Sequence, residues 1–486
     1  MKKHIRILLA FLFFPLAAGA QSLPKAEEAY AQGNFSGALT QYEQIIQTAT
    51  GSDRLQAELR KAACQYGLGE YMNAATTMLS YNLPENDLWK ARFLLYRIQM
   101  AEQVARMYSS LMNESEIVSQ AGTTPDQWTQ AQWNAQIDKD YQTLWALRAA
   151  LINAPVEKET LILNVKDTDT RRIPTLFDVV VQNWVDRLQL QNAPVPLARE
   201  EAAVFLGGAA KALPAKQAQA DQLATLLETA YLLDGKNRKD AKIFWRTDYI
   251  LLPFDNPSLF TMPHPEKALQ KAVEQLQLIS GYTPQKMGFW NKLKHYVSPE
   301  GTEYGRSYAL WRAAQLLNGN DDPETALKMC QYAVNELEPS YYVSKCEQMA
   351  KRITQKELSF SQLPQAFNPQ QVQLPFSVRN AEGIYVRVYK TSQEELQNLY
   401  RKNYLSRTIN SWDFLHQLHT NDIPLFLERT PVQTAQTEVT YEKPYRARQA
   451  SVSLQPLDKG FYVVLAAWDP SFNAKETAVL GTVIMM

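Results

Sequence analysis

Near residue 356 the chain changes its hydrophobic period, and that change confines it to a helical region followed by a β region. Residues 24 to about 354 read as helix almost throughout. Beyond them, "VQLPFSV" (372–378), "GIYVRVYK" (383–390), "TEVTYEK" (437–443), "ASVSLQP" (450–456), "GFYVVLAAW" (460–468) and "AVLGTVIM" (478–485) are short runs of β-branched and aromatic residues. With "LSF" (358–360) they make about seven short strands, the number of an antiparallel sandwich. Tyr385, Arg387 and Tyr389 fall on one face of their strand, Val386 and Val388 on the other. Residues 392–405 and 409–420 predict helices inserted between strands. The expected fold class is α then β: an irregular tetratricopeptide-like α-solenoid over 21–355, then an antiparallel β-sandwich over 356–486.

The helical region begins with a repeat. "AYAQGNFSGALTQYEQII" (29–46) sets Gly33, Phe35, Ala38 and Tyr42 in the order of a tetratricopeptide-type hairpin. "CQYGLGEYMNAATTML" (64–79) repeats the order with Gly69, Tyr71, Ala74 and Met78, close to the roughly 34-residue period of that repeat. Glycine makes the tight turn, the aromatic plugs the hairpin, and alanine lets two helices approach. A weaker third match runs through Ala326, Cys330 and Ala333. Further helices are expected at about 86–112, 125–153, 174–190, 198–233 and 265–281. Pro155, Pro174, Pro194, Pro214, Pro253 and Pro265 stand mostly at their starts and stops. Each hairpin would bury its face on the next.

Lys2, Lys3 and Arg6 precede an apolar run that closes on Ala18-Gly19-Ala20, the pattern of a secretory signal peptide over 1–20 cut between Ala20 and Gln21. With no Cys at the cut, a lipid anchor is not expected, and a periplasmic or secreted location is. The whole chain carries 50 basic and 50 acidic residues, so it has no basic footprint for nucleic acid. No second apolar run is long enough to span a membrane.

Candidate chemistry is sparse. The cysteines are Cys64, Cys330 and Cys346. "CEQM" (346–349) looks like the internal thioester of the α2-macroglobulin and complement families. That bond needs Gln three residues after Cys, and here Gln348 comes second and Met349 third. On a helix Val343, Cys346, Met349 and Ile353 share an apolar face. Cys330 and Cys346 sit on either side of the Glu338-Pro339 turn, at mirrored positions of two antiparallel helices. That placement favours a structural disulfide over two buried thiols. Cys64 reads as a small core residue. His416 and His419 form H-x-x-H without the Glu and spacing of zinc peptidases, so a solvated helix face is the better reading. "GLG" (67–69) has no strand before it and reads as a turn; His264 and His295 lie in separate loops. No catalytic, cofactor-binding or metal-ligating residue is expected, and the chain reads as a non-enzyme.

Three stretches carry a resemblance. "RRIPTLFDVVVQNWVDRLQ" (171–189) resembles the Arg-Pro-Thr-Leu-Tyr-Asp-Phe segment of large bacterial α2-macroglobulin-like proteins, with Ile173 before Pro174 in place of the usual Arg. "EPSYYVSKCEQMAKRITQKELSFSQLPQAFNP" (338–369) resembles that family's last helical hairpin and its run into the first sandwich. "FSVRNAEGIYVRVYKTS" (376–392) and "LDKGFYVVLAAWDPSFN" (457–473) resemble strand pairs of that sandwich. The resemblance implies a macroglobulin-like domain over 356–486, and an endopeptidase inhibitor that collapses around proteases cut within a bait region. No bait or thioester stretch is found within this sequence. The chain is therefore expected to be either the front part of such a protease trap or a truncated relative. The alternative is a stand-alone periplasmic scaffold whose concave helical surface binds a protein partner. Partners are expected to be proteases or other proteins.

Overall fold

The structure, a computed structural model, describes residues 23–108, 124–190, 203–282, 302–364, 366–403, 418–473 and 478–486. It divides into two compact units, one ending at Ala309 and one beginning at Leu310.

The first unit opens with α1 (Leu23–Ala31), α2 (Phe35–Thr48), α3 (Gly51–Gly67), α4 (Tyr71–Ser80) and α5 (Asp87–Met107), each packed on the next. The repeat residues explain the hairpins. Gly33 turns the chain at φ 78° and Gly69 at φ 82°, a region where only glycine is unstrained. Asn34 then caps α2, its side chain accepting from the Gly37 amide at 3.0 Å. Ala38, Tyr42 and Ala74 are fully buried. A β-carbon on Gly67 would lie 2.8 Å from the Phe35 ring, so the aromatic of the first hairpin seats on bare backbone of the second. Alternate helices α1, α3 and α5 also touch, forming one layer.

The chain continues through α6 (Gln130–Ala146), α7 (Arg148–Leu151), α8 (Leu176–Leu190), α9 (Gln217–Leu232), α10 (Lys239–Asp255), α11 (Pro265–Ser280) and α12 (Glu303–Gly319). Residues 125–153 are thus two helices after a single 3-10 turn, where the sequence predicts one. Residues 203–216, expected within a helix over 198–233, are not α-helical. Leu206, Gly207 and Gly208 take φ of 50°, 58° and 84°, which no right-handed helix accommodates. The short strand β1 (Lys211–Ala212) comes next, paired with β2 (Phe260–Thr261), and α9 starts only after Pro214. Pro253, expected at a boundary, lies inside the last turn of α10.

In the second unit, α13 (Pro323–Glu336) and α14 (Tyr341–Thr354) form an antiparallel hairpin capped by Asp322 and Ser340. Then come β3 (Glu357–Phe360), β4 (Val372–Arg379), β5 (Gly383–Thr391), α15 (Gln393–Asn403), α16 (Ile423–Leu427), β6 (Gln433–Glu438), β7 (Arg448–Leu454), β8 (Phe461–Ala467) and β9 (Leu480–Met485). Two antiparallel sheets result, ordered β3-β4-β7 and β6-β5-β8-β9. The strand expected at 437–443 lies earlier. Its paired residues are the polar run Gln433–Glu438, an edge strand without an apolar pattern to read. Of the helices expected over 392–405 and 409–420, residues 404–405 and 409–417 lie outside the described residues.

Alternation along β5 divides two cores. Ile384, Val386 and Val388 join Leu374, Phe376 and Val378 of β4 and Val452 of β7, so the two sheets share one apolar cluster. On the opposite face Tyr389, with Val463, Leu465 and Val483, packs against Leu396 of α15 and Ile423 and Phe426 of α16. The centre of the four-stranded sheet, β8 above all, is therefore covered on both faces.

Candidate functional site

The stretch over 171–189 folds into a densely hydrogen-bonded site of the first unit. Asp169 accepts from the amides of Arg171 at 3.2 Å and Arg172 at 3.3 Å, turning the chain toward Pro174. Thr175 and Asp178 then bond reciprocally across the first turn of α8, the hydroxyl donating to Asp178 Oδ2 at 2.6 Å and accepting from the Asp178 amide at 3.4 Å.

Arg238, just before α10, donates to the same carboxylate from Nε at 3.2 Å and Nη2 at 2.7 Å, and Trp245 Nε1 donates at 2.8 Å. The remaining guanidinium donors reach the Ala230 and Leu233 carbonyls, and the Phe177 ring lies 5.4 Å from the guanidinium carbon. Both Asp178 and Arg238 are 0% exposed. A buried carboxylate with every acceptor position filled has none left for a substrate or a metal. The site is a clasp joining α8, α9 and α10.

Beside it, Arg172 Nη2 donates to Asp248 at 3.1 Å amid the rings of Phe244, Trp245 and Tyr308. Tyr304 donates to Asp169 at 2.6 Å; burial, then that carboxylate, pushes its phenol pKa up. Sequence reasoning missed Arg238, Trp245 and Asp248. Within "KNRKDAKIFWRTD" they look like helix-start charges and an ordinary apolar stripe, and nothing local marks their distant partners.

A second polar site lies on the layer of alternate helices. Glu27 of α1 accepts from Arg60 Nε of α3 at 3.0 Å, and Arg60 lies over the Tyr30 ring. Arg92 of α5 clamps Glu159 through Nε at 2.8 Å and Nη2 at 3.1 Å. The Leu161 carbonyl accepts from Arg60 at 3.4 Å and Tyr96 at 3.3 Å. Glu159, Ile162 and Leu163 are each 1% exposed. Glu159 and Leu161 thus tie this segment to Arg60 of α3 and to Arg92 and Tyr96 of α5.

Cys330 of α13 and Cys346 of α14 are thiols in the structure, both 0% exposed. The neighbouring Cys330 thiol, then burial, holds the Cys346 thiol far above its usual range. Cys64 lies in the other unit beside Arg60, its thiol pushed up to about 12 by burial. Met349, expected on the apolar face of α14 with Val343, Cys346 and Ile353, is only half-buried.

His416 lies outside the described residues, as do the Ala20–Gln21 cut and His295. His419 accepts from the Asn421 amide at 3.2 Å through Nδ1 and opens a single 3-10 turn. Among the described residues no group of three or more His, Cys, Asp or Glu side chains is placed to hold a metal ion, and no helix is long and apolar enough to cross a membrane. Set against known proteins, the chain matches no family model and no curated sequence.

Proposed function

We propose that this chain is an exported, non-enzymatic relative of the bacterial α2-macroglobulin-like proteins and supplies an N-terminal portion of a protease trap. In this reading the helical hairpins are an irregular tetratricopeptide-like solenoid, and the two sheets are a macroglobulin-like sandwich. The observation that carries it is the order of the architecture, helical array and then two antiparallel sheets sharing one core. Two residues of the resembling 171–189 stretch, Thr175 and Asp178, support it as the centre of the clasp that fixes α8. The partner is a protease or another protein. Export rests on the signal-peptide pattern of residues 1–20. No catalytic, cofactor or metal role is assigned to any residue.

The competing scaffold reading needs an open helical face. Its weakness is that Glu159 and Leu161 of this chain already take up Arg92 of α5 and Arg60 of α3. Blotting the periplasmic fraction of the source cell with an antibody against 21–486 tests the proposal. A band several times heavier than the chain, inhibitory toward endopeptidases, is the expected result. A band near 55 kDa, recovered with a stable partner, would overturn the trap in favour of the scaffold.

A further inference from the structure

The α13–α14 hairpin holds a pair of sulfur atoms with no assigned task. Both belong to the seam between two antiparallel helices joined by a short turn, and both are 0% exposed. The two helices pack closely on each other along that seam, and each cysteine lies on the buried side of its own helix. Small apolar residues would serve such a seam equally well, whereas two facing thiols can be joined by removing only their hydrogens. The hairpin is also tied to the β region. Asn380 donates to the Ile353 carbonyl at 2.7 Å and the Gln355 carbonyl at 2.9 Å, and Arg379 donates to the Arg352 carbonyl at 2.9 Å. These bonds fasten the end of α14 to the β4–β5 turn. A covalent link inside the hairpin therefore stiffens the segment on which the sheets are hung.

We propose that Cys330 and Cys346 close a structural disulfide while the chain folds in an oxidising compartment, and that the folded unit then shields it from reductant. The reaction is thiol–disulfide exchange with a disulfide-bearing oxidant, a protein disulfide or oxidised glutathione. One cysteine thiolate attacks the oxidant and forms a mixed disulfide, releasing the first oxidant sulfur as a thiol. The second cysteine displaces the other oxidant sulfur. Two thiols become one S–S bond, the oxidant is reduced to two thiols, and the cysteine protons end on them. Exchange needs an exposed thiolate, and the folded hairpin presents none, so the bond must close before α13 and α14 dock. Only the meeting with the oxidant rests on the export reading.

The test is mass spectrometry of the full chain purified from the periplasm, with free thiols blocked under denaturing conditions before a non-reducing digest. The expected result is one linked pair of peptides carrying Cys330 and Cys346, with Cys64 blocked as a free thiol. The same intact mass reports cleavage after Ala20, so a failure of export is read separately from a failure of the bridge. Refolding with oxidised glutathione tests the bond independently of export and is expected to give the same pair. The native protein should keep the bond in dithiothreitol and lose it only with denaturant. Its melting midpoint should then fall by roughly 5–10 °C. A Cys330→Ala, Cys346→Ala variant is expected to melt at that lower midpoint with or without reductant. Both cysteines freely blocked after oxidative refolding, or either one linked to Cys64, would overturn the proposal.

Discussion

Arg238 and Asp178 stand 60 residues apart in sequence and meet through two hydrogen bonds in an interior that neither side chain leaves. Repeated hairpins bury similar apolar faces, so apolar contact alone distinguishes poorly between one docking register and the next. A buried ion pair with every donor and acceptor matched is satisfied in one register only. Less deeply set Arg–carboxylate pairs recur in the first unit: Arg60 with Glu27, Arg92 with Glu159, and Arg97 with Asp140 at 2.6 Å.

Asp178→Ala should therefore destabilise the first unit by about 3–5 kcal/mol, because it strands the guanidinium of Arg238 in a dry interior. Urea denaturation of the full chain, monitored by far-ultraviolet circular dichroism, measures it. Asp178→Leu combined with Arg238→Met should recover most of the loss, since the uncompensated charge is gone. A single variant within 1 kcal/mol of the parent would show that the clasp does not hold α8.

Gly67→Ala should cost about 1–3 kcal/mol through a different cause. The added carbon meets the Phe35 ring at 2.8 Å, and the ring must shift out of the hairpin. A Gly67→Ala, Phe35→Leu double variant should be less destabilised than the sum of the two singles, and the coupling is read from a double-mutant cycle. Additive singles would mean that the two residues do not interact.

Glu102 gives a pH prediction. Burial raises its carboxyl pKa, against the lowering pull of the Arg187 and Arg106 guanidiniums. A carboxyl whose folded pKa lies above its unfolded value of about 4.3 contributes stability that is present below that value. The contribution is lost as pH rises through the folded pKa. Glu102→Gln should thus match the parent near pH 4 and exceed it at pH 7, while Asp138 still pairs with Arg187 at 3.2 Å. Urea midpoints at the two pH values decide it; a variant weaker than the parent at pH 7 would show that the charged form is the stabilising one.

How much of the molecule is legible in the sequence depends on the range of the forces involved. The hairpins at Gly33 and Gly69 are readable because turn, plug and close approach lie within a few residues. The central strands are readable because Val386 and Val388 alternate with Tyr385, Arg387 and Tyr389. Where short-range pattern fails, so does the reading. β6 is a polar edge held by backbone pairing to β5. The break at Leu206 is made by three left-handed residues inside an alanine-rich stretch that scores as helix. The clasp is legible by half: Thr175 and Asp178 stand out in their stretch, whereas Arg238 and Trp245 gain meaning only through contacts 60 and 67 residues away.

The alternation in β5 also misleads in one respect. A strand with one apolar face and one bearing Tyr385, Arg387 and Tyr389 reads as half-exposed, yet Tyr389 is 1% exposed beneath α16. Phe426, 0% exposed and with its ring 6.0 Å from that of Tyr389, anchors the cover. Phe426→Ala should cost about 3–5 kcal/mol by leaving a cavity under α16. It should also raise hydrogen exchange in residues 423–427, while amides at the β4–β7 pairing keep their protection, because those strands belong to the other cluster. Equal loss of protection at both places would mean that the two cores unfold as one and that the helices are more than a cover.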